Sequence, residues 1–354
     1  MDTLFIPQPD VIPVAWGWFQ FLLLLTLPLH LLAMNAMVGS LGLGLAQHIR
    51  GGEVQSRLAH RIALALPLVV ATVVNLGVAP FLFVQVLYGQ FNYTSSILMG
   101  TFWILVIPML ITAYYGAYLY DFKFEQLGKA GILVGLVSFL LFLAIGSFFS
   151  NNMLLMTLPH RFGEYFSNMA GTLLIFDHPE YLPRYLHMMI GAVAVGGLYV
   201  ALLGRFKGDR DIQLMEYAEN LGLRVFFICT LINTVVGLVY LATLPKKDMM
   251  IFMGGDMAAT IVFSLAFLLA IAVLIVSWKK KLWLTVGHVV VLVYLMVFMR
   301  AWLRSSYLRD VFTLDQLQVV PQYSPLVFFL VTLVIGIAAL VWLWQKTSKA
   351  MAHL

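Results

Sequence analysis

Of the chain's 354 residues, 62% are hydrophobic and only 10% charged, with a formal net charge of +5 and a mean hydropathy of +0.94. That composition excludes a soluble enzyme and a disordered chain, and it predicts an all-α integral membrane protein forming one polytopic domain, 1–354. The basic excess points to anchoring at a membrane surface and not to nucleic acid, and a single cysteine, Cys229, excludes disulfides, thiolate metal sites and a covalent C-x-x-C-H heme.

Apolar runs long enough to cross a bilayer, about 20 residues each, fall near 18–46, 62–89, 97–120, 130–150, 184–204, 220–243, 257–278, 282–303 and 325–345. Nine spanning helices are expected. The first follows a polar "MDTLFIPQPD", has no small-residue cleavage site and exceeds a signal-peptide core, so it is expected to be retained. Nine spans put the termini on opposite sides. On one side fall Arg50, Arg57, Arg61, Lys123, Lys129, Arg205, Lys207, Arg210, Arg224, Lys279, Lys280, Lys281, Lys346 and Lys349, 14 of the 21 Lys and Arg. The positive-inside rule makes that side cytoplasmic and the N-terminus external. The longest connection, 151–183, is then also external, and its aromatics with Pro179 and Pro183 predict a short interfacial helix. No phosphate-binding loop, low-complexity segment or strong internal repeat is evident.

All 16 Asp and Glu fall in connections or at helix ends, Asp256 being the nearest to the membrane. Ion-coupled transport usually uses carboxylates inside spans, and discontinuous paired helices are not evident either, so transport is disfavoured. Histidines do enter the spans. His187 lies about one turn inside helix 5. His30, after Pro28 in "LTLPLHLLAMNAMVG", lies about 18 Å below Trp18 at roughly 1.5 Å per residue. His288 opens helix 8 beside the headgroups. A neutral imidazole in hydrocarbon needs partners for both nitrogens, and heme iron is one such partner. A low-spin b heme takes His with His or Met. At matching depth to His187 stands Met257, opening helix 7 behind two glycines. Heme propionates need cations near the interface, and Arg300 and Arg304, one turn apart in "MRAWLRSSYLRD", share a helix face.

These residues together resemble subunit I of the cytochrome bd quinol oxidases. "RYLHMMIGAVAVGGLYVALLGRFKGDRD" is similar to the family's helix 5, whose low-spin b heme ligand falls on His187. "LTLPLHLLAMNAMVG" is similar to its helix 1, whose heme-ligating histidine falls on His30. "NLGVAPFLFVQVLYGQFNY" and "YLYDFKFEQLGK" resemble helix 2 and the turn between helices 3 and 4, Met257 falls near the family's methionine ligand, and "LRSSYLRDVFTLDQL" resembles an external turn through Arg304 and Tyr307. The chain also departs from the family. The helix-2 glutamate near the oxygen-reacting hemes is replaced by Gln85, a heme-ligating glutamate of helix 8 falls on Ala301, and the quinol-binding loop between helices 6 and 7 shrinks to about "LPKKDMMIFMGGD".

The resemblance implies a bd-like bundle in the cytoplasmic membrane of a prokaryote, carrying one heme b with a second or third allowed. His187 and Met257 are expected to ligate one heme, His30 another. Arg304 and Arg300 are expected on propionates, and Gln85 beside the second heme. The expected role is electron transfer between membrane quinone or quinol and a partner. That partner would be a second membrane subunit, a bd-like paralogue or an extracytoplasmic c-type cytochrome, with lipid around the assembly. The alternatives are a divergent bd quinol:oxygen oxidoreductase and a heme-poor structural paralogue. Reduction of oxygen consumes protons that must come through buried ionisable groups or ordered water, and the loss of both carboxylates argues against it.

Overall fold

The computed structural model describes residues 5–206 and 211–352, for 206 and 348–352 the backbone alone, so Lys207 and Arg210 lie outside the described residues. It is built from α1 (Trp16–Arg50), α2 (Glu53–Leu98), α3 (Gly100–Phe122), α4 (Phe124–Leu127), α5 (Ala130–Leu155), α6 (Tyr181–Phe206), α7 (Ile212–Thr243), α8 (Lys246–Met250), α9 (Met257–Trp278), α10 (Leu282–Leu308) and α11 (Tyr323–Ala352). Among the described residues, nine of these are long and apolar enough to cross a membrane, all except the short α4 and α8. Among the described residues there is no strand, and Ile12 and Val319 form an isolated parallel bridge. This is the architecture of a multi-pass membrane protein, in which each helix satisfies its own backbone hydrogen bonds.

Several helices outrun their apolar runs. α1 and α2 continue through "AQHIR" and "EVQSRLAH" until Gly51 and Gly52, both at positive φ, break the chain between them. α2 also runs on through Tyr88, whose φ of −136° and ψ of 34° mark a kink one turn beyond Gln85. Between α5 and α6 lies a 3-10 helix, Pro159–Ser167. Arg161 pins it by a bidentate bond to Glu164 at 2.5 and 3.0 Å and a longer contact to Asp177 at 3.3 Å.

The packing reveals an internal repeat that the sequence reading did not find. In the first half α1 packs on α2, α2 on α3, α3 on α5 and α1 on α5. In the second, α6 packs on α7, α7 on α9, α9 on α10 and α6 on α10. The cross-contacts follow the same exchange, since α1 meets α10 as α6 meets α5, while α1 meets α6 and α2 meets α7. The two four-helix units thus share one packing order, as parallel internal repeats do. Small residues set the crossing of α1 and α6. A Cβ on Gly39 would collide with the Ala192 carbonyl and lie 2.8 Å from the Gly196 Cα, so α1 and α6 approach backbone to backbone. α11 stands apart from both units and buries none of its span.

Candidate functional site

The repeat fixes where the two intramembrane histidines stand. His30 precedes Gly39 by nine residues, and His187 precedes Gly196 by the same nine. Each is therefore about 13.5 Å from the α1–α6 crossing at 1.5 Å per residue. The greater depth expected for His30 gives way to equal height. α1 begins further from the crossing than α6 does, so counting from the helix ends misplaces one against the other.

Both imidazoles are held in the same way. His187 Nδ1 lies 3.2 Å from the Asn233 carbonyl of α7, and His30 Nδ1 lies 3.1 Å from the Val73 carbonyl of α2. One turn further along each partner helix a glycine makes room for the ring. A Cβ on Gly237 would sit 2.9 Å from His187 Cε1, and one on Gly77 would sit 2.8 Å from His30 Cε1. A carbonyl only accepts, so Nδ1 carries the proton and Nε2 keeps its lone pair. Metal-binding histidines usually make a bond of this kind, which fixes the ring and frees the other nitrogen. His288 differs, because its Nδ1 bonds the Leu284 carbonyl of its own helix at 2.7 Å. The residues present fit heme iron at His187 and at His30 through one nitrogen each.

Met257, the expected second ligand, stands at the surface. Met257 is the first residue of α9 and is 80% exposed, after Asp256 caps the helix by accepting from the Ala259 amide at 2.9 Å. The cap turns the side chain outward, so the structure does not bring Met257 into the interior with His187. Gln85 is half-buried in α2, and Ala301 is half-buried in α10.

At the end of the bundle where α1 and α6 begin, Arg300 and Arg304 turn inward, Arg304 being only 7% exposed with its guanidinium 5.1 Å from the centroid of Tyr88. Sequence reasoning missed the third member. Arg184, one turn before His187, lies within electrostatic reach of both, and among the described residues none of the three forms an ion pair closer than 4.0 Å. Two buried carboxylates flank them. Glu180 accepts from the Tyr307 hydroxyl at 2.5 Å, and Asp248, fully buried in α8, accepts from the Ser306 hydroxyl. Burial holds the Glu180 carboxyl above the usual carboxylate range, with the Tyr307 bond and Arg184 offsetting part of that rise. The first unit closes its corresponding end with neutral amides. Asn152 Oδ1 accepts from Asn92 Nδ2 and Ser95 Oγ, each at 3.3 Å, and Asn151 accepts from the Ile175 amide.

The chain could have disclosed the repeat through one short signal. "HLLAMNAMVG" at 30–39 and "HMMIGAVAVG" at 187–196 share the spacing from histidine to glycine. Comparison with protein-family models, with characterised proteins and with solved structures gives no match to this chain.

Proposed function

We propose that this protein is a bd-like, b-type heme subunit that passes electrons between membrane quinone or quinol and a partner redox subunit. One observation supports this reading above the others: two apolar-embedded histidines, equivalent under the repeat, each have Nδ1 engaged by a neighbouring helix over a glycine. Each arrangement fixes the ring and leaves Nε2 free, as an iron ligand requires. When bound, heme supplies one-electron chemistry that none of the chain's own side chains offers. His187 and His30 would each give an Nε2 ligand, and Arg184, Arg300 and Arg304 would neutralise propionate carboxylates near the membrane surface. With Met257 turned outward, a second ligand for a low-spin heme would have to come from another residue or from a partner.

On this reading the end carrying the arginines faces outward and the basic end faces the cytoplasm of a prokaryotic cell. The partner is a second membrane subunit or an external c-type cytochrome. Gln85 and Ala301, in place of carboxylates, remove two acidic groups that oxygen reduction would draw on, which favours electron transfer over terminal oxidation. A dithionite-reduced-minus-oxidised spectrum of the purified full chain tests the proposal. A b-type band is expected in the wild type and its loss in His187→Ala, with oxygen turnover on a quinol below about 1 per second. Absence of heme from the purified protein refutes the reading, and sustained turnover above that rate transfers it to the oxidases.

A further inference from the structure

The end of the bundle where α1 closes and α2 opens holds a cluster of stacked rings that the proposed function leaves unused. Phe124, the buried first residue of α4, carries two imidazoles. His48 of α1 stacks on it with centroids 4.6 Å apart and an interplanar angle of 28°, and His60 of α2 stacks nearly parallel, at 4.7 Å and 8°. Tyr120 of α3 meets Phe124 edge-on at 5.4 Å, and its hydroxyl lies 3.1 Å from His48 Nδ1. The next residue, Asp121, is buried with an Oδ1 that has no hydrogen-bond partner, within electrostatic reach of His60. Three helix ends are thus gathered onto the connection that leads to α5. The repeat supplies a counterpart. His60 precedes Gly77 by 17 residues, and Asn220 precedes Gly237 by the same 17. Asn220 accepts from Lys280 Nζ at 2.7 Å, and Lys280, at a φ of 54°, stands in the turn between α9 and α10. Each unit therefore ties the connection between its third and fourth helices to the start of its second. The second unit does so through an amide, which does not titrate, and the first through imidazoles, which do.

We propose that the stack of His48 and His60 on Phe124 is a pH-operated clasp, which protonation of the two imidazoles tightens onto the connection between α3 and α5. A neutral imidazole on a phenyl ring gives aromatic contact alone. An imidazolium adds the attraction of a cation for the negative face of the ring, and both of its nitrogens donate. Histidine makes this change between about pH 5 and 8. The groups around the stack set the sign. Asp121 of α3 draws charge onto His60, and the Tyr120 hydroxyl can accept from a protonated His48 Nδ1. α5 meets His48 at Gly131, which brings no charge. Cations oppose protonation, but most are engaged or in solvent. Arg57 of α2 is held by Asp211 at 2.6 Å and by Glu53 at 3.8 Å. Arg50, Lys123 and Lys129 are exposed, as is Glu125 of α4, so solvent screens all four. Arg61, buried and next to His60 in sequence, and the second imidazolium are the opposing charges that remain. Two cation–ring contacts and the Asp121 carboxylate outweigh them.

The test is backbone hydrogen exchange of the full chain in lipid nanodiscs between about pH 5 and 8, read by mass spectrometry and corrected for the intrinsic pH dependence of exchange. Peptides covering 121–131 should exchange roughly tenfold more slowly at the acid end, the size that two cation–ring contacts carry. Peptides covering the Lys280 turn of the same molecule should change little, which makes the second unit an internal control. The double variant His48→Gln, His60→Asn places an amide at both positions, and Phe124→Leu keeps the apolar plug without a ring. Both should flatten the pH response of 121–131, with thermal melting confirming that each variant folds. If the double variant does not fold, Phe124→Leu and the unsubstituted second unit decide the outcome. An equal response at both connections overturns the proposal, as does a response that persists in either folded variant. Persistence in Phe124→Leu would assign the effect to the Asp121 carboxylate without the ring. The measurement needs no heme, so it stands or falls apart from the proposed function.

Discussion

Replacing Gly237 by alanine tests the histidine site without touching a candidate ligand. The new Cβ would stand 2.9 Å from His187 Cε1 and 3.1 Å from Nδ1, where ordinary contact begins near 3.4 Å, so the ring must withdraw by several tenths of an ångström. Its bond to the Asn233 carbonyl is already 3.2 Å long and does not survive that retreat. A lost neutral hydrogen bond costs about 1 kcal/mol, and outer-shell partners of metal-binding histidines commonly govern about 10–100-fold in affinity. Alanine also favours helix over glycine by up to about 1 kcal/mol, so the fold should hold while the site fails. The expected result is a loss of roughly tenfold in heme retention, or a displaced low-spin band, with the melting temperature nearly unchanged. Heme per chain and the reduced spectrum after purification are the measurements. Gly287→Ala, where a Cβ meets nothing within 4 Å, is the control. If Gly237→Ala keeps full heme and an unshifted band, His187 is not an iron ligand held by this bond.

Gly77→Ala should act on His30 in the same way, with its Cβ 2.8 Å from Cε1, and a second spectral component that vanishes in this variant alone would count the hemes. Cysteines introduced at Gln55 and Gln345 should be labelled from the same side and not from outside the cell; opposite labelling breaks the nine-span topology. Because burial raises the Glu180 pKa in the folded chain, its contribution is most favourable below the unfolded pKa and is lost as pH rises through the folded one. Glu180→Gln, which can still accept from Tyr307, should therefore melt closer to or above wild type at pH 8 than at pH 5, and a pH-independent difference would contradict the burial argument. Arg304→Gln should lower a heme midpoint potential by tens of millivolts. Unit charges on the order of 10 Å apart at an effective dielectric near 20 interact by about 1.7 kcal/mol, and an unchanged potential would separate this arginine from the heme.

Hydropathy made the number of long apolar helices legible, because the cost of burying polar groups in lipid acts on every span alike. It did not make their lengths legible. "EVQSRLAH" leads into α2 and "QFNYTSSIL" extends it as helix outside the apolar run, since backbone hydrogen bonding continues where side-chain hydropathy changes. His30, His187, Arg300 and Arg304 stood out as polar groups in or beside apolar segments. Their supports did not. The Asn233 carbonyl and Gly237 have no distinctive side-chain signal, and the Tyr307–Glu180 bond joins residues 127 positions apart. The expected place of Met257 rested on its depth, the two glycines before it and the resemblance, none of which says which way a first-turn residue points when Asp256 caps the helix.

The unlike ends of the two repeats give the molecule a polarity. Asn92, Asn151 and Asn152 close the first unit with neutral dipoles, whereas the second brings Arg184, Arg300 and Arg304 together with the carboxylates of Glu180 and Asp248, and Arg304 reaches across to Tyr88 of α2. If both histidines hold iron, otherwise equivalent centres sit in unequal fields. The centre nearer the arginines would hold an electron more readily than the other. A duplicated scaffold that began with two interchangeable redox stations would thus acquire a donor and an acceptor by changing surface-end residues alone, with neither ligand altered.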